Sequence, residues 1–189
     1  MKTAAFFLIL LFILDQGRSR SIIRRPEARE QITVIEVQEK KQALPVRLKI
    51  LKLNIDAFVE SVGLTSGGEM EVPKDTADVG WFNLGPRPGE RGSAVIAGHF
   101  DNKNGGPGVF ANLYKLKPGD ELSVEDNEGI VTTFIVRESR LYDLGFAEEV
   151  FSSGDGINLN LVTCDGVWDG VRKSYSKRLV VFTDIIMQN

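Results

Sequence analysis

The 189-residue chain contains one cysteine and one histidine, and each closes a run of strand-type residues. Cys164 ends Leu159-Asn160-Leu161-Val162-Thr163-Cys164, and the turn pair Asp165-Gly166 follows at once. His99 ends Ala94-Val95-Ile96-Ala97-Gly98-His99. A thiol at the mouth of a strand is rigidly held and still able to face a substrate. Taken alone, a free cysteine is most often a small buried hydrophobe. In an exported protein, a lone cysteine reads instead as a reactive thiol or an intermolecular bridge. Cysteine catalysis needs a thiolate, a proton donor for the leaving group and a stabiliser for the oxyanion. Cys164 and His99 can supply the first two, since a nearby cation lowers a thiol pKa. An imidazolium can then protonate a departing amine. Arg178 is the best candidate for the third part, because its guanidinium is permanently charged and forked. Lys177, Arg172 and Lys173 are rivals, and any one loop arginine is otherwise a solvated surface charge.

The elements that must position these groups are short strands. Nineteen glycines and seven prolines favour a β-rich fold over a helical bundle. From residue 46 the pattern alternates through Leu48, Ile50, Leu53 and Ile55, breaks at Leu51, and continues to residue 60. Residues 72–92 are dominated by turn formers, and residues 93–98 form a short buried strand. Residues 109–116 predict one or two helical turns. A hairpin pairs 121–125 with 130–138, and residues 147–152 hold a brief helical turn. Residues 159–164 and 179–183 are the last strong strands, joined by a return loop that carries Trp168. Strands at intervals of roughly ten residues imply an all-β barrel or sandwich. No internal repeat is visible.

The N-terminus differs from the rest. Residues 4–14 are wholly apolar, long enough for a signal-peptide core and short of the roughly 20 residues of a membrane-spanning helix. Residues 1–14 therefore read as a signal peptide or membrane anchor, 15–45 as a charged linker, and 46–187 as the catalytic domain. Residues 32–37 can be a peripheral strand, or part of a helix running on to Lys41. Arginines 18, 20, 24 and 25 follow the apolar run, which by the positive-inside rule places the downstream side in the cytoplasm. That conflicts with export, and a start site assigned too late would remove the conflict. The expectation is export with a membrane tether, or secretion if the segment is cleaved. The net charge of −3 gives no case for nucleic-acid binding. The acidic clusters lack a recognisable metal-ligand spacing, and there is no phosphate loop or dinucleotide fingerprint, so no metal or cofactor is expected.

Three segments together resemble a sortase: Gly98-His99, Leu161-Val162-Thr163-Cys164, and Ser176-Lys177-Arg178-Leu179-Val180-Val181-Phe182. The family's L-x-T-C box matches residues 161–164, its arginine matches Arg178 and its histidine matches His99. Gly80-Trp81-Phe82, residues 85–89 and Gly108-Val109-Phe110 look closest to the class E/F-like members. The resemblance spans about residues 46–187. It implies a closed eight-stranded β-barrel with short helical turns in its loops. It also implies a cysteine transpeptidase that cleaves an LPxTG-like sorting signal of exported proteins. In that reaction Cys164 carries a thioacyl group, His99 acts as acid and then base, and Arg178 holds the substrate backbone or oxyanion. The acyl group passes to an amine of the cell envelope, such as a peptidoglycan precursor, or to water. Thr163 helps shape the substrate groove or is an ordinary strand residue. Trp168 lines the groove or packs under its loop. Asp101 orients His99 or is a turn residue, and Asp165 is expected to point outward. The short chain favours surface-protein anchoring over pilus assembly.

Two rivals carry less. Caspase-like and papain-like proteases are disfavoured, the first by the missing Q-A-C box and the second by chain order. A peptide hydrolase of the same fold, or a catalytically silent peptide-binding barrel, remains the alternative. The silent barrel would have lost His99, Cys164 or Arg178, and all three are present.

Overall fold

A computed structural model of the chain describes residues 43–145, 148–152 and 154–187. The apolar N-terminal run, most of the linker and the candidate strand at 32–37 lie outside these residues.

Period-two alternation builds the barrel wall. Along the last strand Leu179 and Val181 face the barrel interior, whereas Val180 and Phe182 join a second cluster on the outer face. Eight strands follow this logic: β1 (Pro45–Ile50), β2 (Ile55–Val62), β3 (Val79–Phe82), β4 (Gly92–Gly98), β5 (Glu121–Asp126), β6 (Val131–Asp143), β7 (Ile157–Asp169) and β8 (Ser174–Ile185). They close in the order β1-β2-β3-β4-β7-β8-β6-β5. The β2–β3 and β4–β7 pairs are parallel and the others antiparallel. Closure leaves no unpaired sheet edge. Three short 3₁₀ turns, Leu51–Leu53, Leu113–Lys115 and Glu148–Phe151, sit in the connections. The all-β closed barrel of eight strands is the expected fold.

Inside the barrel, Leu48, Ile50, Ile96, Phe110, Leu113, Phe134, Leu159 and Leu161 are fully buried. Outside it, Val95, Val150, Val180 and Phe182 form a smaller buried cluster under the loops, flanked by Met70, Phe82, Tyr142 and Val162. That outer cluster shows which face the candidate residues share. Cys164 lies two residues beyond outward-facing Val162, and Arg178 two residues before outward-facing Val180. Both side chains therefore share the outer face of the β7–β8 pair.

Two local readings need correction. The turn-rich stretch 72–92 contains a strand, β3, in which Val79 and Trp81 are buried. Four residues between turn formers are too few for alternation to register, and the strand is specified by pairing with β2 and β4. Nor does the strand end at Cys164. β7 runs on to Asp169, and Trp168 stands on it rather than in a loop. The Asp165-Gly166 signal marks a β-bulge. The register steps from Asp165↔Lys177 to Trp168↔Tyr175, so β7 carries one extra residue there. Gly166 takes a positive φ of 85°, which suits glycine.

Candidate active site

Cys164 and Arg178 face each other directly across the antiparallel β7–β8 ladder. The thiol is half-buried and unbridged. Arg178 is held by its own hairpin. Its Nη1 donates to the carbonyls of Tyr175 at 3.0 Å and Lys177 at 2.9 Å, and its Nη2 donates to Ser174 Oγ at 3.1 Å. Of the five donors of a guanidinium, these three bonds leave two for another acceptor. Sequence reasoning found Arg178 but missed Ser174 and Tyr175, since only the ladder brings them to the guanidinium.

Thr163 precedes the thiol and points the other way. It is buried, and its Oγ1 donates to the Gly98 carbonyl at 2.9 Å. The β4–β7 ladder pairs through Ala97↔Val162, so this bond continues the join just where His99 leaves β4. Thr163 thus ties the base of His99 to the base of Cys164. Thr163→Val keeps the shape and removes the donor. We expect a loss of about 1–2 kcal/mol, seen as a Tm lowered by roughly 3–7 °C in thermal unfolding. An unchanged Tm would remove this bond from the account.

His99 Nε2 donates to the Pro73 carbonyl at 2.8 Å, leaving Nδ1 as its other polar edge. Among the described residues no hydrogen bond joins His99 to Cys164. Its backbone is clamped by a close approach: a Cβ on Gly108 would lie 2.4 Å from the His99 carbonyl oxygen. Phe110 N–H donates to that same oxygen at 2.9 Å. Asp101 does not orient the imidazole. Its Oδ2 accepts from the Tyr175 hydroxyl at 2.7 Å. Asp165 accepts from the Gly166 N–H in its own turn, and it is not among the groups that shift the thiol.

Burial pushes the Cys164 thiol above its usual value; the Arg178 charge pulls it down and the Asp101 carboxylate pushes it up. The net direction is upward from the ordinary 9.0. At a given pH below that value, a raised pKa means less thiolate. Alkylation of Cys164 by iodoacetamide should therefore rise by about one log unit per pH unit from neutrality, with no plateau below pH 9. A plateau below pH 8 would contradict this environment.

A cleft of about 690 Å³ opens beside the thiol, with Cys164, Thr163 and Arg178 at one end. Its floor is Ala97, Val162 and Val180. Leu64 and Met70 of the β2–β3 connection form one wall, and Tyr142 of β6 and Phe151 of the β6–β7 connection form the other. The second wall is anchored twice. Tyr142 donates its hydroxyl to Glu149 at 2.8 Å, and buried Asn160 donates to the Val150 carbonyl at 2.7 Å. Neither contact is visible in the sequence, because both partners are ordinary residues of a strand and a loop. His99 and Trp168 are not part of this lining. The half-exposed Trp168 instead packs edge-on against Tyr175 at 5.2 Å, and Phe100 meets Tyr175 at 5.4 Å. Among the described residues no group of acidic, histidine or cysteine side chains could hold a metal ion. No helix there is long and apolar enough to cross a membrane.

The chain can be set beside known proteins at this point. The Sortase domain family matches residues 48–186. No curated protein sequence matches the chain. Among solved structures, sortase C-1 from Actinomyces oris superposes with a TM-score of 0.60 at 20% identity, covering 76% of each chain. The Clostridium perfringens sortase D5 transpeptidase gives 0.58 at 22% identity, covering 76% of this chain and 79% of its own. A lid mutant of sortase A from Corynebacterium diphtheriae gives 0.60 at 16% identity, covering 79% and 74%. These likenesses concern the barrel. The sequence match spans nearly the whole barrel and includes its cysteine, so this chain belongs to the sortase family, cysteine transpeptidases that act outside the cytoplasm, on the cell-envelope side.

Proposed function

We propose that this chain cleaves an LPxTG-like sorting signal near the C-terminus of exported proteins and joins the released carbonyl to an envelope amine. The observation that carries this reading is the Cys164–Arg178 pair at the end of an apolar cleft. An extended peptide lying in the cleft would place apolar side chains on Val162 and Val180 and its scissile carbonyl at the thiol.

The roles follow from the chemistry of each group. Cys164 Sγ attacks the carbonyl carbon as thiolate; the C–S bond forms and the C–N bond breaks. His99 gives its proton to the departing amine. The two uncommitted donors of Arg178 serve the carbonyl oxygen, where charge develops. Thr163 supports the site through the Gly98 bond, at the end of the cleft that it helps to line. The incoming amine, such as that of a peptidoglycan precursor, then releases the acyl group. In domain terms, residues 1–14 act as a signal peptide or membrane tether, 15–45 as a linker and 46–187 as the catalytic unit. Gly80-Trp81-Phe82 and residues 85–89 support a class E/F-like type.

The test is direct. The full chain is incubated with an LPxTG-type peptide and triglycine, and both protein and peptides are weighed by mass spectrometry. The expected results are an acyl adduct on Cys164 and a peptide ligated to triglycine. Cleavage without any adduct would sink the thioacyl route, and a peptide-library screen would then define the preferred motif.

A further inference from the structure

A transpeptidase must bring two substrates to one thiol, and in the reading above the acyl donor occupies the cleft. Beyond the cleft, the β7–β8 hairpin continues past Cys164 to the facing pair Trp168 and Tyr175. Arg178 holds the Tyr175 carbonyl, and the Tyr175 hydroxyl donates to Asp101 Oδ2 at 2.7 Å. Asp101 lies on the loop just after His99 in the chain, near enough for its charge to act on the thiol. That loop is tightly built: Gly108 N–H donates to the Phe100 carbonyl, and Asn102 N–H to the Gly106 carbonyl. Among the described residues Asp101 has no ion pair, and its Oδ1 makes no hydrogen bond. The Tyr175 ring meets Phe100 and Trp168 edge to face, at 5.4 and 5.2 Å between centroids.

A carboxylate there works against the first half-reaction, since negative charge opposes thiolate formation. Its use must lie elsewhere. At neutral pH an aliphatic amine arrives as an ammonium. A carboxylate with a free oxygen, flanked by aromatic faces, suits that cation. We propose that Asp101, walled by Tyr175 and Trp168, binds the ammonium form of the acceptor amine on the hairpin side of Cys164. This rests on the transpeptidase reading above and deepens it by assigning the second substrate's subsite. In the step that follows, the held ammonium gives one proton to neutral His99. Its lone pair attacks the thioester carbon, the N–C bond forms, and the C–S bond breaks to return thiolate. The remaining extra proton leaves to solvent.

The experiment bypasses the sorting signal. Cys164 of the full chain is acylated by exchange with a simple alkyl thioester. Deacylation is then followed by intact-protein mass spectrometry with glycinamide, largely an ammonium at pH 7, and with hydroxylamine, which is neutral there. The readout is the ratio of the two rates. Asp101→Asn should lower the glycinamide-to-hydroxylamine ratio by about 10-fold. Adding salt to the wild-type protein should lower the ratio through screening, a measurement that needs no variant. An unchanged ratio in Asp101→Asn, or no salt effect, would each overturn the assignment. A failure to cleave the LPxTG-type peptide would count against the donor reading alone, since the acyl group here is loaded without it.

Discussion

Cys164→Ala is expected to remove the acyl adduct completely and to lower turnover of a cleavable peptide by at least ~10⁴-fold, the scale of losing a nucleophile from a coupled site. The fold should survive, because Cys164 sits half-buried on the outer face of β7, outside the interior cluster. Trimming one sulfur there leaves the barrel interior and the Thr163–Gly98 bond untouched. The measurement pairs kcat/KM on the peptide with thermal unfolding. Residual turnover near the wild-type rate, with the Tm unchanged, would show that the thiol carries no covalent intermediate.

Arg178→Ala should lower kcat/KM by about 10²–10³-fold, the usual cost of losing an oxyanion donor. It should also slow alkylation of Cys164 at fixed pH, because the Arg178 charge is what pulls the thiol pKa down. Arg178→Lys is the sharper variant. An ammonium has three donors and no planar fork, so it cannot hold Tyr175, Lys177 and Ser174 and still present a pair to substrate. The lysine variant should keep most of the alkylation rate, where only charge matters, and recover little of kcat/KM, where geometry matters. Full recovery of kcat/KM by lysine would reduce Arg178 to a point charge.

Much of the candidate site was legible because its residue types are scarce. One cysteine and one histidine leave little to choose between, and both follow apolar runs. Alternation through Val162 and Val180 puts Cys164 and Arg178 on one face once β7 and β8 pair. The strands that failed to show are those whose stability is not local. β3 exists because β2 and β4 flank it. The far half of β7 hid behind Asp165-Gly166, since a glycine that makes a bulge and one that makes a turn look alike in sequence.

Other features depend on contacts between distant segments. His99 meets a carbonyl 26 positions away at Pro73. Asp101 turns to Tyr175, 74 positions away, instead of to its neighbour His99. The sequence by itself determined a chain of short strands and singled out the thiol and the imidazole, because composition and period-two alternation are properties of neighbours along the chain; the closed barrel and the choice of Arg178 among its rivals came with the sortase resemblance. Only the tertiary structure decided that Cys164 lines the cleft, what anchors the guanidinium, and that Asp101 turns to Tyr175. Those are set by closure of the β4–β7–β8 surface, where hydrogen bonds and burial act between residues that no local pattern links.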